Sequence, residues 1–283
     1  MTTVLKRPRA PFRMSRVLTW AILGILAIYA LAPLVVFAFN SLKSSREIAV
    51  NPMGIPQEWN WSNFADAWSQ ARMGQALLNS GIIAIFAAAG VALIASMAAY
   101  AMTRLELPGK GGWILWLLVS TSLPIQLFLV PLVSWWSFLG LYNERIGLVI
   151  IYWAVYSPFA TLLIRSFLIS LPDEYLEAAR IDGAGEIRLF FRIVLPMVWP
   201  GVLTAALVAG LQAYNEFMLA VTFIQDRDAQ PVALSLYSFQ QGFTTDYSMV
   251  SAAGLIMALP VIIVFVLAQR KFIEGYASGG LAN

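Results

Sequence analysis

The chain has 283 residues, 60% of them hydrophobic and only 12% charged, about half the charge of an ordinary soluble domain. Cysteine and histidine are both absent, which excludes disulfides, thiolate chemistry, histidine metal sites and every Cys–His or Ser–His catalytic arrangement. A net charge of +3 with no clustered basic motif gives no support for nucleic-acid binding, and the class indicated is an all-α integral membrane protein.

A helix crossing the roughly 30 Å hydrocarbon layer needs about 20 apolar residues. The gaps between charged residues supply six candidates. They run from Val17 to about Phe39, within Met73 to Thr103, within Gly111 to Asn143, and from Ile146 to about Leu171. The fifth extends from about Met197 to Phe223, interrupted by Glu216, and the sixth from about Tyr247 to Gln269. Pro124 and Pro131 make the third either one kinked helix or a helix with a broken end. The first run is longer than a signal-peptide core and "VVFAFNSLKSS" lacks a convincing cleavage site, so a retained helix is expected.

Lys and Arg in the flanks set the orientation. With the tail bearing Lys6, Arg7, Arg9, Arg13 and Arg16 inside, and Arg165 counted with the loop it approaches, inside segments hold thirteen basic residues and outside loops five. Both termini are therefore expected in the cytoplasm. The division is a basic tail over 1–16, a six-helix membrane domain over 17–270 and a cytoplasmic tail over 271–283. The outside loop at about 40–72 contains "QEWNWSNFADAWSQA", where Trp61, Phe64 and Trp68 suit a short amphipathic helix. It either anchors at the membrane interface or meets an external partner.

One segment departs from this apolar plan. "EYLEAARIDGAGEIRLFFRIVLP", from Glu174 to Pro196, has seven charged residues in 23 and falls between the fourth and fifth spans, hence in the cytoplasm. Pro172 suits a first helical turn, and Asp173 and Glu174 favour its positive end. Glu177 and Arg180 are spaced to pair, Gly183 is suited to break the helix, and "EIRLFFR" can form a second one. Pro196 marks the expected start of the next span.

The spacing is specific: Glu177-Ala178-Ala179, three residues, Gly183, nine residues, then Ile193, Leu195 and Pro196. This resembles the EAA loop of ATP-binding-cassette importer membrane subunits. "LPDEYLEAARIDGAG" is similar to the carbohydrate-uptake branch, on the side of the shorter membrane subunit of maltose-type transporters. "LNSGIIA", "LVPLVSWWSFLGLYNERIGLVI" and "YNEFMLAV" extend the likeness over most of the chain after about residue 75. Family members often end in small residues with a late basic one; "EGYASGGLAN" keeps the small residues and lacks the basic one.

The resemblance implies a six-span permease of the bacterial cytoplasmic (inner) membrane with a cytoplasmic coupling loop at about 172–196. ATPase coupling would fall to Glu177, Ala178, Ala179, Arg180, Asp182 and Gly183, with Ile193, Leu195 and Pro196 bracing the loop. The implied partners are a second, homologous permease subunit, two ATP-binding-cassette ATPase subunits, an external solute-binding protein, a carbohydrate substrate and membrane lipid. No cofactor is expected on this chain, since ATP and Mg would sit on the ATPase subunits. The phosphate-binding pattern G-x-x-x-x-G-K-[ST] is absent, and "LPGKGG" around Lys110 reads as a loop turn.

The substrate path is less marked. Ionisable residues inside a membrane are costly and point to function. Glu216, with Tyr214 and Asn215 beside it, either lines the pathway or contacts a partner permease, or else makes a structural hydrogen bond or sits near the outer interface. Asn79 and Ser80 either pack helices or meet substrate, Trp135, Trp136 and Trp153 either pack or stack on sugar rings, and Arg165 is expected near the cytoplasmic interface. A permease for a polyol, glycerol phosphate or peptide is the nearest alternative function. An ion-coupled carrier would need more buried titratable groups, and a membrane enzyme would need convergent catalytic side chains.

Overall fold

A computed structural model describes residues 13–240 and 245–280. In chain order the helices are α1 (Arg13–Asn40), α2 (Ser45–Val50), α3 (Ser62–Gln70), α4 (Met73–Arg104) and α5 (Lys110–Ser122). After a 3-10 turn at Ile125–Phe128 come α6 (Leu129–Phe138), α7 (Arg145–Ile169), α8 (Glu174–Ile181) and α9 (Glu186–Leu189). A π turn at Phe190–Val194 leads to α10 (Leu195–Met197), α11 (Trp199–Asn215), α12 (Met218–Phe223), α13 (Val232–Leu236) and α14 (Tyr247–Gly280). There is no strand among the described residues. The expected tail over 1–16 lies outside the described residues up to residue 12, and α14 continues beyond the expected end of the last span near Gln269.

The centre of the bundle is α4, which packs most extensively on α7 and then on α11. Its buried positions Ala76, Ser80, Ile83, Ala87, Val91, Ala95 and Ala99 recur at about one-turn intervals, and α11 presents Gly201, Val202, Ala205, Ala209 and Ala213. Within a membrane, small residues permit the close backbone approach on which van der Waals packing depends. Gly90 is the tightest such point on α4. A Cβ there would stand 2.0 Å from the indole nitrogen of Trp153, whose N–H donates to the Phe86 carbonyl at 2.8 Å. By contrast, α1 leaves its apolar residues from Val17 to Val35 exposed and rests on α14 by its later part.

Four helices, α1 from Val17, α4, α7 and α14 up to Leu267, are individually long and apolar enough to cross a membrane. Two bent pairs would raise the number to six: α5 with Ile125–Phe138 at 90°, and Glu186–Met197 with α11 at 81°. The third run is thus a broken helix. Leu123 is extended (φ −81°, ψ 126°), the conformation favoured before a proline, and Pro124 has no N–H with which to continue α5. The fifth span begins later than expected. Pro196 belongs to the three-residue α10, Val198 leaves the helical region (φ −97°, ψ 11°), and α11 starts at Trp199 with Pro200 in its first turn.

The segment 41–72 is folded against the bundle. Lys43 is fully buried and donates to Asn40 Oδ1 at 3.0 Å and the Asn51 carbonyl at 2.9 Å. Asn63 Nδ2 donates to the carbonyls of Ser41 and Lys43, both at 2.9 Å. These bonds satisfy groups that would otherwise be buried alone. The amphipathic α3 turns Asn63 and Ala67 inward and packs on α14, leaving Trp61 and Trp68 exposed.

Candidate functional site

The loop between α7 and α11 is built from two short helices that share one turn. Gly183 supplies it with φ +77°, a conformation that favours glycine, while Gly183 N–H donates to the Arg180 carbonyl and Ala184 N–H to that of Ala179, both at 3.0 Å. Leu176 and Ala179 of α8 are buried with Leu189, Phe190 and Val194 against Ala99 and Tyr100 of α4 and Ile164 and Leu168 of α7. The outward face of α8 carries Glu177 and Ala178, followed by Ile181, Asp182 and Gly183, all exposed.

Three local readings are corrected. Pro172 lies outside α8, which begins at Glu174; the Asp173 carboxylate makes no cap hydrogen bond and pairs with Arg104. Ala179, expected at the partner surface, faces the chain's own core. Arg180 does not pair with Glu177 among the described residues. The Gly183 turn brings α9 back so that Glu186 takes Arg180 Nε at 3.0 Å.

Arg104, in the last turn of α4, donates to the carbonyls of Leu168 at 2.6 Å and Leu171 at 2.5 Å and pairs with Asp173. One turn earlier, the Tyr100 hydroxyl donates to Glu186 Oε2. The bonds from Tyr100 and Arg180 hold the Glu186 carboxyl below the usual glutamate range, and the bond to Glu186 pushes Arg180 up. Ile193 and Leu195 pack half-buried on the same core, and Pro196 is exposed. Tyr100 and Arg104 were not singled out by sequence reasoning; the available signal was an aromatic and a basic residue one turn apart at the end of an apolar run.

At the other end of the bundle, the fully buried Asn79 is a four-bond hub. Its Nδ2 donates to the carbonyls of Asp228 at 2.9 Å and Gln230 at 3.0 Å, while its Oδ1 accepts from Arg145 at 2.7 Å and Gln75 at 3.2 Å. Ser80 Oγ accepts the Val232 N–H at 2.7 Å. Both residues therefore tie α4 to the chain entering α13.

Tyr214, Asn215 and Glu216 lie where α11 ends, and each makes a different bond. Tyr214 donates to the Met257 carbonyl of α14 at 2.9 Å, and Asn215 Nδ2 donates to the Leu211 carbonyl at 2.9 Å. Glu216 is extended (φ −72°, ψ 126°), and its carboxylate accepts the N–H groups of Leu219 and Ala220 and the Tyr152 hydroxyl. Its charge thus faces the start of α12, where free N–H groups point. Trp136 donates its indole N–H to the Gly147 carbonyl at 3.0 Å, whereas Trp135 is exposed. Arg165 is half-buried, and its Nε has no partner among the described residues. Lys110 opens α5 and donates to the Thr103 carbonyl at 3.2 Å.

Comparison with known proteins places this architecture. Residues 93–273 match the family described as binding-protein-dependent transport system inner membrane component. The chain is 34% identical over 275 residues to the probable ABC transporter permease protein YurM of Bacillus subtilis (strain 168), covering 97% of this chain and 91% of that one. It is 35% identical over 262 residues to the diacetylchitobiose uptake system permease protein NgcG of Streptomyces coelicolor, covering 92% and 86%. The fold matches a chain of a bacterial ABC transporter involved in the import of the acidic polysaccharide alginate, with a TM-score of 0.78 at 19% identity, over 93% of this chain and all of that one.

Proposed function

The chain belongs to the family of binding-protein-dependent transport system inner membrane components, and from that membership we propose that it is the transmembrane subunit of an ATP-driven importer of a sugar or oligosaccharide. It forms half of the translocation pathway and works with a second permease, two ATPase subunits that carry ATP and Mg, and an external solute-binding protein. Six spans cross the membrane: α1, α4, the α5–α6 pair, α7, α11 with its approach, and α14. The excess of Lys and Arg on one side supports a cytoplasmic position for both termini and the α8–α9 loop. A carbohydrate cargo is favoured by the diacetylchitobiose permease among the relatives.

The observation that carries this reading is α8. One face is closed on the bundle by Leu176 and Ala179, and the other offers Glu177, Ala178 and an 86% exposed Ile181 beyond the ends of the spans. Tyr175, Ile187 and Phe191 add exposed apolar surface nearby. Such a cluster outside the membrane marks a protein contact, and an ATPase cleft would cover it. Glu177→Lys and Gly183→Pro should leave the chain inserted but lose copurification of the ATPase subunits and uptake from a panel of labelled mono-, di- and oligosaccharides. Retention of both by both variants would contradict the reading.

A further inference from the structure

The loop is joined to the bundle by its chain connections to α7 and α11 and by side chains of α4. Toward α11 the chain passes through the π turn Phe190–Val194, the three-residue α10 and an 81° bend. That route departs from regular α-helical geometry three times, while Phe190, Val194 and Val198 along it stay buried in the core. Toward α4 the route is side-chain to side-chain and short. Tyr100 and Arg104 are one turn apart on α4 and grip the two ends of α8: Arg104 holds Asp173 and the Leu168 and Leu171 carbonyls before it, and Tyr100 holds Glu186 after it. Glu186 in turn holds Arg180 at the last turn of α8, closing a loop of contacts from α4 to α9 to α8 and back to α4. Tyr100 is 5% exposed and packs on Phe190 with ring centroids 5.3 Å apart, so its hydroxyl is held where Glu186 meets it.

We propose that Tyr100 is a positioning residue which, through Glu186 and Arg180, fastens the coupling helix to the second span, so that displacement of the loop is delivered directly to α4. Because α4 packs along both α7 and α11, a shift at its loop end moves the core of the bundle as one body. The proposal rests on the importer reading, in which α8 receives motion from an ATPase subunit. It adds that α4, which does not contain the EAA segment, receives that motion directly. Arg104 carries the same role at the other end of α8 but also caps α7, so Tyr100 and Glu186 are the cleaner probes.

The test uses the complete complex of both permeases and the ATPase subunits in proteoliposomes, with the binding protein outside, ATP and Mg inside, and the panel sugar giving the highest wild-type uptake. Tyr100→Phe and Glu186→Gln should keep ATP hydrolysis near the wild-type rate while sugar moved per ATP falls roughly fivefold or more, the lower range of coupling between sites. Rates are taken per assembled complex, so a folding defect lowers yield without lowering that ratio. The chain has no native cysteine, so a Tyr100→Cys/Glu186→Cys double variant can be bridged by a short bis-maleimide, and bridging should restore sugar per ATP. A wild-type ratio in Tyr100→Phe and Glu186→Gln, or no recovery on bridging, overturns the proposal alone. Absence of ATP-dependent uptake by the wild-type complex would overturn the importer reading and the proposal together.

Discussion

The Tyr152 hydroxyl donates to the Glu216 carboxylate at 3.0 Å, joining the first half of α7 to the break between α11 and α12. The same carboxylate accepts from Leu219 N–H at 2.9 Å and Ala220 N–H at 3.1 Å. Glu216→Ala leaves three donors without their acceptor, and unsatisfied buried groups cost about 1–3 kcal/mol. Its apparent Tm in detergent should fall clearly, with Glu216→Gln, which keeps one acceptor oxygen, falling less. Equal melting of both variants and wild type would argue against a cap at this break.

Gly90 tests the packing of α4 on α7. Gly90→Ala places a methyl group where the Trp153 indole lies, so the ring must move and its bond to Phe86 must lengthen or break. Overpacking of this kind costs about 1–3 kcal/mol. A lower apparent Tm is expected with a change in tryptophan emission that the Trp153→Phe background lacks.

Arg104 holds the entrance to α8. Arg104→Ala removes its bonds to two carbonyls and its pair with Asp173. Hydrogen bonds to charged groups contribute about 1.5–3 kcal/mol each in favourable cases, and here they fasten a short helix that would be marginal in isolation. Amide hydrogen exchange over 174–181 should quicken, while exchange in the middle of α4 stays at the wild-type rate.

Asp246 gives a pH dependence. Burial works against its ionised form, but hydrogen bonds from Ser248 and Ser45, and from the N–H groups of Met249 and Ser248, hold its carboxyl below the usual aspartate range. A carboxyl depressed in the folded state contributes stability above its unfolded pKa and loses it as pH falls through the folded value. The apparent Tm gap between wild type and Asp246→Asn should therefore be full at neutral pH and close below about pH 4, the ordinary aspartate range. A gap that widens on acidification would contradict this cap on α14.

Four of the apolar spans, the charged loop and the Gly183 break were legible because each is local: apolar run length, charge interruption and one backbone conformation. What hydropathy cannot assign is which face of an apolar helix meets protein. Ala178 and Ala179 are alike in sequence, yet one is exposed and the other closes on Leu189 and its neighbours in the core. Asn79 reaches carbonyls about 150 positions onward, and Tyr100 meets Glu186 86 positions away. Those partners exist only once α4, α7 and the loop are assembled. Glu216 stood out as a charge interrupting an apolar run, but its role depends on a helix restart at Met218 that no residue pattern announced.

The most direct measurement is uptake in proteoliposomes containing the chain with its partner permease and ATPase subunits, the binding protein outside and ATP with Mg inside. The account predicts sugar accumulation that requires ATP and binding protein and is lost in Glu177→Lys. Uptake by the chain alone, driven by an ion gradient without ATP, would contradict it.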